Sequence, residues 1–174
     1  MKKKPNVKVA CVQAAPVYFD LEETVGKGIR LIIEAARNGA RYVGFPEVWI
    51  PGYPLFAWLN APIGSLPHMP AYRDNSLVVG GEHDLALRRA ARENGIYVCM
   101  GYSERSGGSL YMGQMLISPD GEPLIVRRKV KPTLAERSVF GEGDGTHLKV
   151  VDTEIGRLGA LNCWEHLQPL LKYA

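Results

Sequence analysis

A strand–helix–strand pattern near the start of the chain constrains the fold most. Residues 7–14 form a short β-branched apolar run typical of a buried strand. Asp20 then opens a capping-box-like start, and apolar residues recur at helical spacing until Gly39 supplies the stop. Residues 42–45 form a second buried strand. Because such crossovers are right-handed and join parallel strands, the sequence predicts an α/β fold.

Residues 46–81 interrupt this pattern. They hold six prolines and few periodic apolar positions, which predicts a long irregular excursion. The segment also carries aromatic side chains, which are poor linker residues but good walls for a pocket: Trp49, Tyr53, Phe56 and Trp58.

The remaining elements complete a mixed sheet. A helix over residues 82–94, stopped by Gly95, leads into a strand over residues 96–102. Residues 109–118 and 122–129 form two strands joined by a Pro-Asp-Gly turn, and residues 146–152 and 156–162 form another antiparallel pair. The sequence thus predicts an α/β architecture with a mixed β-sheet and helices on one face. With no linker or internal repeat, residues 1–174 are expected to form a single domain.

The composition of the chain argues against two classes of partner, nucleic acids and membranes. The chain is 46% hydrophobic, enough for a substantial core, and its 21 basic against 18 acidic residues leave a formal net charge of +3. Lys2, Lys3 and Lys4 contribute to that excess as a solvated tail, and no basic stripe interleaved with aromatics follows, so no nucleic-acid partner is expected. The apolar runs are strand-sized, so no membrane partner is expected either.

Three cysteines at wide spacing, without a CxxC pair, favour a reducing, cytoplasmic setting over a disulfide framework. The four histidines show no metal-ligand spacing. Neither a metal nor another cofactor is expected.

Cys163 is the first candidate for chemistry. A small-residue apolar strand over residues 159–162 runs straight into it, and an amphipathic stretch follows. A strand-to-helix turn displays a nucleophile at the rim of a sheet, where the following N–H groups favour an anion. The competing interpretation is a small core hydrophobe, which suits Cys11 and Cys99 better.

Two charged residues strengthen the case. Glu47 follows a predicted strand, where a carboxylate serves either as a helix-start charge or as a general base. Lys129 ends another strand, where a solvated basic edge is the alternative. Glu47, Lys129 and Cys163 each lie just beyond the carboxyl end of a predicted strand, which is where α/β sheets gather site residues.

Other schemes fit the sequence less well. No GxSxG elbow is present, and the nearest histidine to the cysteine, His166, lies on the same predicted helix. The glycines of residues 141–145 do not open a helix after a strand, which indicates a flexible turn and not a phosphate site.

These residues resemble the nitrilase superfamily, and within it the true nitrilases. The matching segments run in order along the whole chain: Val9 to Ala14, Phe45-Pro46-Glu47, Ile50 to Pro54, Arg128-Lys129, Lys131-Pro132-Thr133, Glu136-Arg137, Gly141 to Gly145, and Asn162-Cys163-Trp164-Glu165-His166. The Cys163-Trp164-Glu165 form resembles the nitrile-hydrolysing branch.

The resemblance implies roles for individual residues. Glu47, Lys129 and Cys163 correspond to the family's Glu-Lys-Cys triad, and Glu136 to a second glutamate that lines the site. Lys129 takes the lysine role, and not Lys131, because the motif places it directly after a basic residue. Tyr53 and Trp164 are expected to contact substrate. The implied fold is an α-β-β-α sandwich, here incomplete at its C-terminus.

The implied reaction converts an organic nitrile and water to a carboxylic acid and ammonia. A thiolate from Cys163 attacks while Glu47 takes the thiol proton, and Lys129 stabilises the growing negative charge. The substrate passes through a thioimidate and then a thioester on Cys163 before the acid is released. Burial and a neighbouring ammonium push the pKa of Glu47 in opposite directions, and the sequence leaves that balance open.

Length is the departure from the family pattern. Relatives continue well beyond the cysteine, so residues 1–174 are expected to be a truncated carbon–nitrogen hydrolase domain. Two alternatives stay open: a catalytically silent fragment, and an amidase or cyanide-hydrolysing relative that uses the same triad. The family also implies a homo-oligomer. The sequence does not choose the nitrile.

Overall fold

The computed structural model describes residues 6–173, and a five-stranded sheet lies at its centre in the order β1-β2-β3-β4-β5. The first three strands are parallel, and β4 and β5 follow as antiparallel neighbours. The predicted mixed sheet is therefore confirmed. Its strands are β1 (Val9–Cys11), β2 (Tyr42–Gly44), β3 (Tyr97–Ser106), β4 (Ser109–Ile117) and β5 (Pro123–Arg128).

Two long helices connect the parallel strands, and they begin and end where the sequence predicts. The N–H of Glu23 donates to the Asp20 carboxylate at 2.9 Å, which caps the first helix. Gly95 ends the helix over Glu82–Asn94 and has the left-handed conformation, with φ 59°. The helices are α1 (Leu21–Arg37), α2 (Phe56–Leu59), α3 (Pro62–Ser65), α4 (Met69–Asp74), α5 (Glu82–Asn94) and α6 (Pro169–Tyr173).

The two faces of the sheet carry different layers. Ile32 of α1 and Leu87 of α5 pack with Val98 and Met100 of β3, so both long helices cover one face. Cys99 points to the opposite face, because side chains alternate along a strand. That face is covered by a two-stranded sheet of β6 (Val150–Thr153) and β7 (Gly156–Gly159). The result is a helix layer over two sheets.

The proline-rich excursion is more ordered than the sequence predicts. It folds into α2, α3 and α4 with a 3₁₀ turn between the last two, so the expectation of an irregular segment is wrong. Pro62 and Pro70 lie in the first turns of α3 and α4, where a missing N–H costs nothing. Pieces of four to six residues are too short to show a helical period.

The core interpretation of the other two cysteines is half right. Cys99 is buried, as expected, but Cys11 is exposed. Its neighbours Ala10 and Val12 pack toward the helices, so Cys11 points to the other face of edge strand β1. An apolar run does not reveal that only one of its faces is covered.

Across residues 6–173, no helix combines the length and the apolar character that crossing a bilayer requires.

Candidate active site

Glu47 lies on the turn that follows β2, where the chain crosses over β3. A Cβ at Gly101 would lie 2.2 Å from the Pro46 carbonyl oxygen, so only glycine lets this turn approach the sheet. Beyond the turn, the N–H of Ile50 donates to Gly101 at 3.2 Å, and the N–H of Ser103 donates to Ile50 at 2.6 Å. These bonds fix the segment that carries Glu47 against the sheet.

Lys129 directly follows β5. Because β5 runs in the same direction as β2, the carboxyl ends of the two strands share one edge of the sheet. The backbone of Lys129 donates to Met112 at 2.8 Å and accepts from Gly143 at 2.9 Å. A Cβ at Gly143 would lie 2.6 Å from the Arg128 carbonyl oxygen. The 141–145 segment therefore packs against this strand end.

The side chain of Lys129 joins two carboxylates. Its ammonium donates to Glu47 Oε1 at 2.9 Å and to Glu136 Oε2 at 2.8 Å. Tyr53 donates to Glu136 Oε1 at 2.6 Å. Lys129 and Glu136 are almost fully buried, while Glu47 keeps 19% of its side chain exposed. We call Glu47, Lys129, Glu136 and Tyr53 the charged cluster.

Glu136 is held from both sides. It is the third residue of a 3₁₀ helix, Leu134–Ser138, and accepts from the N–H of Thr133 at 2.5 Å. This back-bond to the residue before the helix fixes the carboxylate that faces Lys129.

The basic run at the end of β5 is not a solvated edge. Arg127 binds Glu165 through two bonds of 2.7 Å, and both side chains are only 2% exposed. Arg128 binds Glu104 on the opposite face of the strand. Each arginine thus has its own carboxylate and Lys129 has two, so a solvated edge is excluded as an account of Lys129.

The electrostatic balance that the sequence leaves open is settled by burial. Burial raises the pKa of Glu47 above its ordinary value, against the opposing effect of Lys129. For Lys129, burial alone would lower the pKa, but its hydrogen bonds to Glu136 and Glu47 outweigh that effect and the pKa is raised. Lys129 therefore stays an ammonium, while Glu47 is shifted toward the range of a general base.

Cys163 begins a 3₁₀ helix, Cys163–Leu167, four residues beyond the end of β7. The expectation of a strand over residues 159–162 that runs into the cysteine is wrong, because β7 ends at Gly159, and the element that begins at Cys163 is a 3₁₀ helix. The residue has φ 44°, a strained conformation for a side chain other than glycine, and it is exposed. Among residues 6–173, no hydrogen bond joins its thiol to Glu47 or Lys129. The neighbouring residue Asn162 and the residue after Lys129, Val130, both donate a backbone N–H to Glu165.

The aromatic residues divide between core and surface. Trp49 and Phe56 are buried in the hydrophobic core, so their expected place as pocket walls is wrong. Trp58 donates to the Tyr53 hydroxyl at 2.9 Å. Trp164 is 54% exposed and lines a cleft of about 560 Å³ with Leu134 and Leu170.

The ion pair between Arg127 and Glu165 is the feature that the sequence analysis missed. Glu165 accepts from the N–H of Asn162 at 2.8 Å, so it back-bonds to the residue before its helix as Glu136 does. An Asn followed three residues later by Glu is a readable helix-start signal. It predicts a fixed carboxylate at this position.

Comparison with known proteins identifies the family. The family model described as carbon-nitrogen hydrolase matches residues 8–174. The chain belongs to the carbon-nitrogen hydrolase family. The resemblance drawn from the ordered motifs is confirmed.

Relatives of this carbon-nitrogen hydrolase carry several names. A nitrilase from Pseudomonas syringae pv. syringae is 54% identical over 98% of this chain and 51% of the relative. An aliphatic nitrilase from Rhodococcus rhodochrous is 52% identical over 96% of this chain and 46% of the relative. A cyanide hydratase from Stereum hirsutum is 53% identical over 95% of this chain and 45% of the relative. The chain spans about half the length of these relatives.

Solved structures show the same fold. An amidase from Nesterenkonia sp. superposes with a TM-score of 0.67 at 20% identity, covering 95% of this chain and 58% of the amidase. The α/β architecture of this carbon-nitrogen hydrolase is therefore that of the amidase.

Proposed function

We propose that the protein hydrolyses an organic nitrile to a carboxylic acid and ammonia, with Cys163 as nucleophile, Glu47 as general base and Lys129 as the stabilising cation. The observation that carries the proposal is the bond between Lys129 and Glu47 at 2.9 Å, at the shared carboxyl edge of two strands. The nitrilases among the relatives supply the substrate class.

In the first half of the reaction, Glu47 takes the proton of the Cys163 thiol as the sulfur forms a bond to the nitrile carbon. The nitrile nitrogen gains negative charge as its π bond opens, and the Lys129 ammonium lies at the same edge to stabilise it. Glu47 then transfers this proton to the nitrogen, which gives a thioimidate and restores the carboxylate. A carboxylate with a raised pKa suits this work because it is a stronger base than an ordinary glutamate.

In the second half, a water gives a proton to Glu47 and its oxygen adds to the thioimidate carbon. Glu47 passes this proton, and then the proton of the new hydroxyl, to the nitrogen, so the tetrahedral adduct expels ammonia and leaves a thioester. A second water cleaves the carbon–sulfur bond, which releases the acid and restores the thiol. Two waters are consumed for each nitrile.

Glu136 and Tyr53 support the cluster. Glu136 is the second acceptor of the Lys129 ammonium and so directs its remaining N–H. Tyr53 donates to Glu136, and burial raises its pKa, so its hydroxyl keeps its proton. We propose that Tyr53 and the exposed Trp164 also contact the substrate.

Cyanide is a second candidate substrate, because a cyanide hydratase is among the relatives at 53% identity. Hydrogen cyanide would form the same thioimidate, and release of the adduct before ammonia leaves would give an amide. An amidase reaction uses the same thioester half.

The test measures ammonia and amide released by the purified chain from aliphatic nitriles, aromatic nitriles, the matching amides and cyanide. Cys163→Ala is the control for background hydrolysis. Ammonia that depends on Cys163 and forms from nitriles supports the proposal, and faster turnover of amides or cyanide would replace its substrate class. Folded protein without Cys163-dependent product would identify a catalytically silent chain.

We further propose that residues 1–174 belong to one catalytic domain, that it associates into homo-oligomers and that it acts in the cytoplasm. The three cysteines are free, which suits a reducing compartment. Large apolar side chains are exposed in the cleft at Trp164, namely Leu134 and Leu170, and Leu167 and Tyr173 are exposed as well. Light scattering after size exclusion would measure the oligomer.

A further inference from the structure

We propose that Glu165, held by Arg127, is a positioning residue that ties the segment carrying Cys163 to the segment carrying Lys129. This inference rests on the proposed function, because it concerns the same nucleophile and cation. Glu165 does not belong to the charged cluster. It acts through the backbone N–H of the residue before Cys163 and that of the residue after Lys129.

The contacts of the Glu165 carboxylate carry the argument. Oε2 accepts from the N–H of Asn162 at 2.8 Å, and Asn162 directly precedes Cys163. Oε1 accepts from the N–H of Val130 at 2.9 Å, and Val130 directly follows Lys129. One carboxylate therefore joins the two chain segments that carry the proposed nucleophile and its cation.

Arg127 fixes the carboxylate in this bridging orientation. Its two terminal nitrogens each donate to one oxygen of Glu165 at 2.7 Å, so the planar groups face each other as a fork. Burial would favour the neutral carboxyl, but the bonds from Arg127, Asn162 and Val130 hold the pKa of Glu165 below its ordinary value. The group stays ionised and keeps both acceptor oxygens.

The cost of the arrangement indicates a purpose beyond stability. Both charges are 2% exposed, and Arg127 Nε lies buried without a partner among residues 6–173. Two well-packed apolar side chains of similar size are often as stable as a buried ion pair. They do not, however, accept hydrogen bonds from two backbone N–H groups. Apolar residues could replace the ion pair without loss of stability, but they could not replace the two hydrogen bonds that join Asn162 and Val130 through Glu165.

The strain at Cys163 makes such a bridge necessary. The residue has φ 44°, a conformation that persists only where neighbouring bonds hold it. The bond from Asn162 to Glu165 closes the turn around that position. Without it, we expect the cysteine to relax away from the edge where Lys129 lies.

The experiment is a double-mutant cycle on the rate at which iodoacetamide alkylates Cys163. Alkylation is followed by peptide mass spectrometry in a Cys11→Ser background, since Cys11 is also exposed. Lys129→Gln removes the cation but keeps a hydrogen-bond donor. Its effect is measured in the parent and in Arg127→Met/Glu165→Met. A matched control is Arg128→Met/Glu104→Met, which removes the ion pair on the opposite face of the same strand.

If Glu165 holds the two groups together, Lys129→Gln slows alkylation about tenfold in the parent and in the matched control, because a cation held beside a cysteine speeds its reaction with alkylating agents. In Arg127→Met/Glu165→Met, the same change should alter the rate by less than about twofold, because the two groups are no longer held together. Near-UV circular dichroism verifies that each variant is folded. If the double variant does not fold, Glu165→Gln takes its place.

Equal effects of Lys129→Gln in all three backgrounds would overturn the proposal, and so would no effect in the parent. The cycle uses only thiol chemistry and needs no nitrile turnover. A chain that releases no ammonia but shows the coupling would therefore refute the proposed function and leave this inference standing.

Discussion

Lys129→Met provides the most direct test of the charged cluster. The lysine is fully buried and is the cation that Glu47 and Glu136 share. Methionine fills similar space but carries no charge and donates no hydrogen bond. The substitution leaves two carboxylates close together in a poorly solvated site.

The expected loss is large. Removing one partner of a buried ion pair costs about 3–5 kcal/mol, and the loss here should lie toward the upper end because two carboxylates lose their cation. With a urea dependence of about 2 kcal/mol per M for a chain of this size, the unfolding midpoint should fall by about 2 M. Lys131→Met is the matched control. Its side chain pairs with Glu142 on the surface, so no measurable change is expected.

The loss should depend on pH in a defined direction. Burial already raises the pKa of Glu47, and removing Lys129 removes the opposing effect. A carboxyl with a raised pKa in the folded state binds more protons folded than unfolded, so stability falls as pH rises. The variant should therefore recover part of its deficit as the pH is lowered from neutral toward the raised pKa of Glu47. Urea titrations followed by circular dichroism measure both effects. A deficit equal to that of Lys131→Met, or one independent of pH, would refute the assignment of Lys129 as the buried partner of two carboxylates.

Three further predictions concern the turn and the cluster. Ammonia release should rise with pH on an acidic limb above the ordinary glutamate range, since the pKa of Glu47 is raised. Glu47→Gln should remove both that limb and most of the rate; an unchanged limb would point to another base. Gly101→Ala should lower kcat and the thermal midpoint, because the new Cβ meets the Pro46 carbonyl oxygen at 2.2 Å, whereas Gly108→Ala enters open space and should not. Tyr53→Phe should reduce kcat less than Glu47→Gln, because it removes one bond to a cluster carboxylate; equal losses would place Tyr53 in the chemistry.

The fold could be predicted from the sequence where a signal was periodic or capped. The bounds of α5 agree with the prediction, because Gly95 marks its end. The short helices α2 to α4 could not be predicted, since each is stabilised by its packing and shows no period of its own. The exposure of Cys11 depends on which face of β1 is covered, and an apolar run does not encode that.

The meeting of Glu47 with Lys129 could be predicted from the sequence, but the geometry of the candidate site could not. The positions of Glu47 and Lys129 after strands indicated a shared edge, and the structure joins the two side chains there. The partners of Arg127 and Arg128 lie far away in the chain, so the basic run looked solvated. Three residues at the site that are not glycine have a positive φ: Val48, Leu134 and Cys163. Their residue types do not predict this conformation.

Three consecutive cations at the end of β5 alternate between the two faces of the strand, and this alternation has a consequence for folding. Arg127 and Lys129 face one side of the strand and Arg128 faces the other, each with its own carboxylate. If β5 slipped by one residue against β4, every one of these cations would point to the wrong face. Glu165 and Glu136 would then lie buried without a cation. A slip between purely apolar strands does not carry this free-energy cost. The same charges that assemble the site therefore select the strand pairing, and a mispaired chain would lose its stability together with its chemistry.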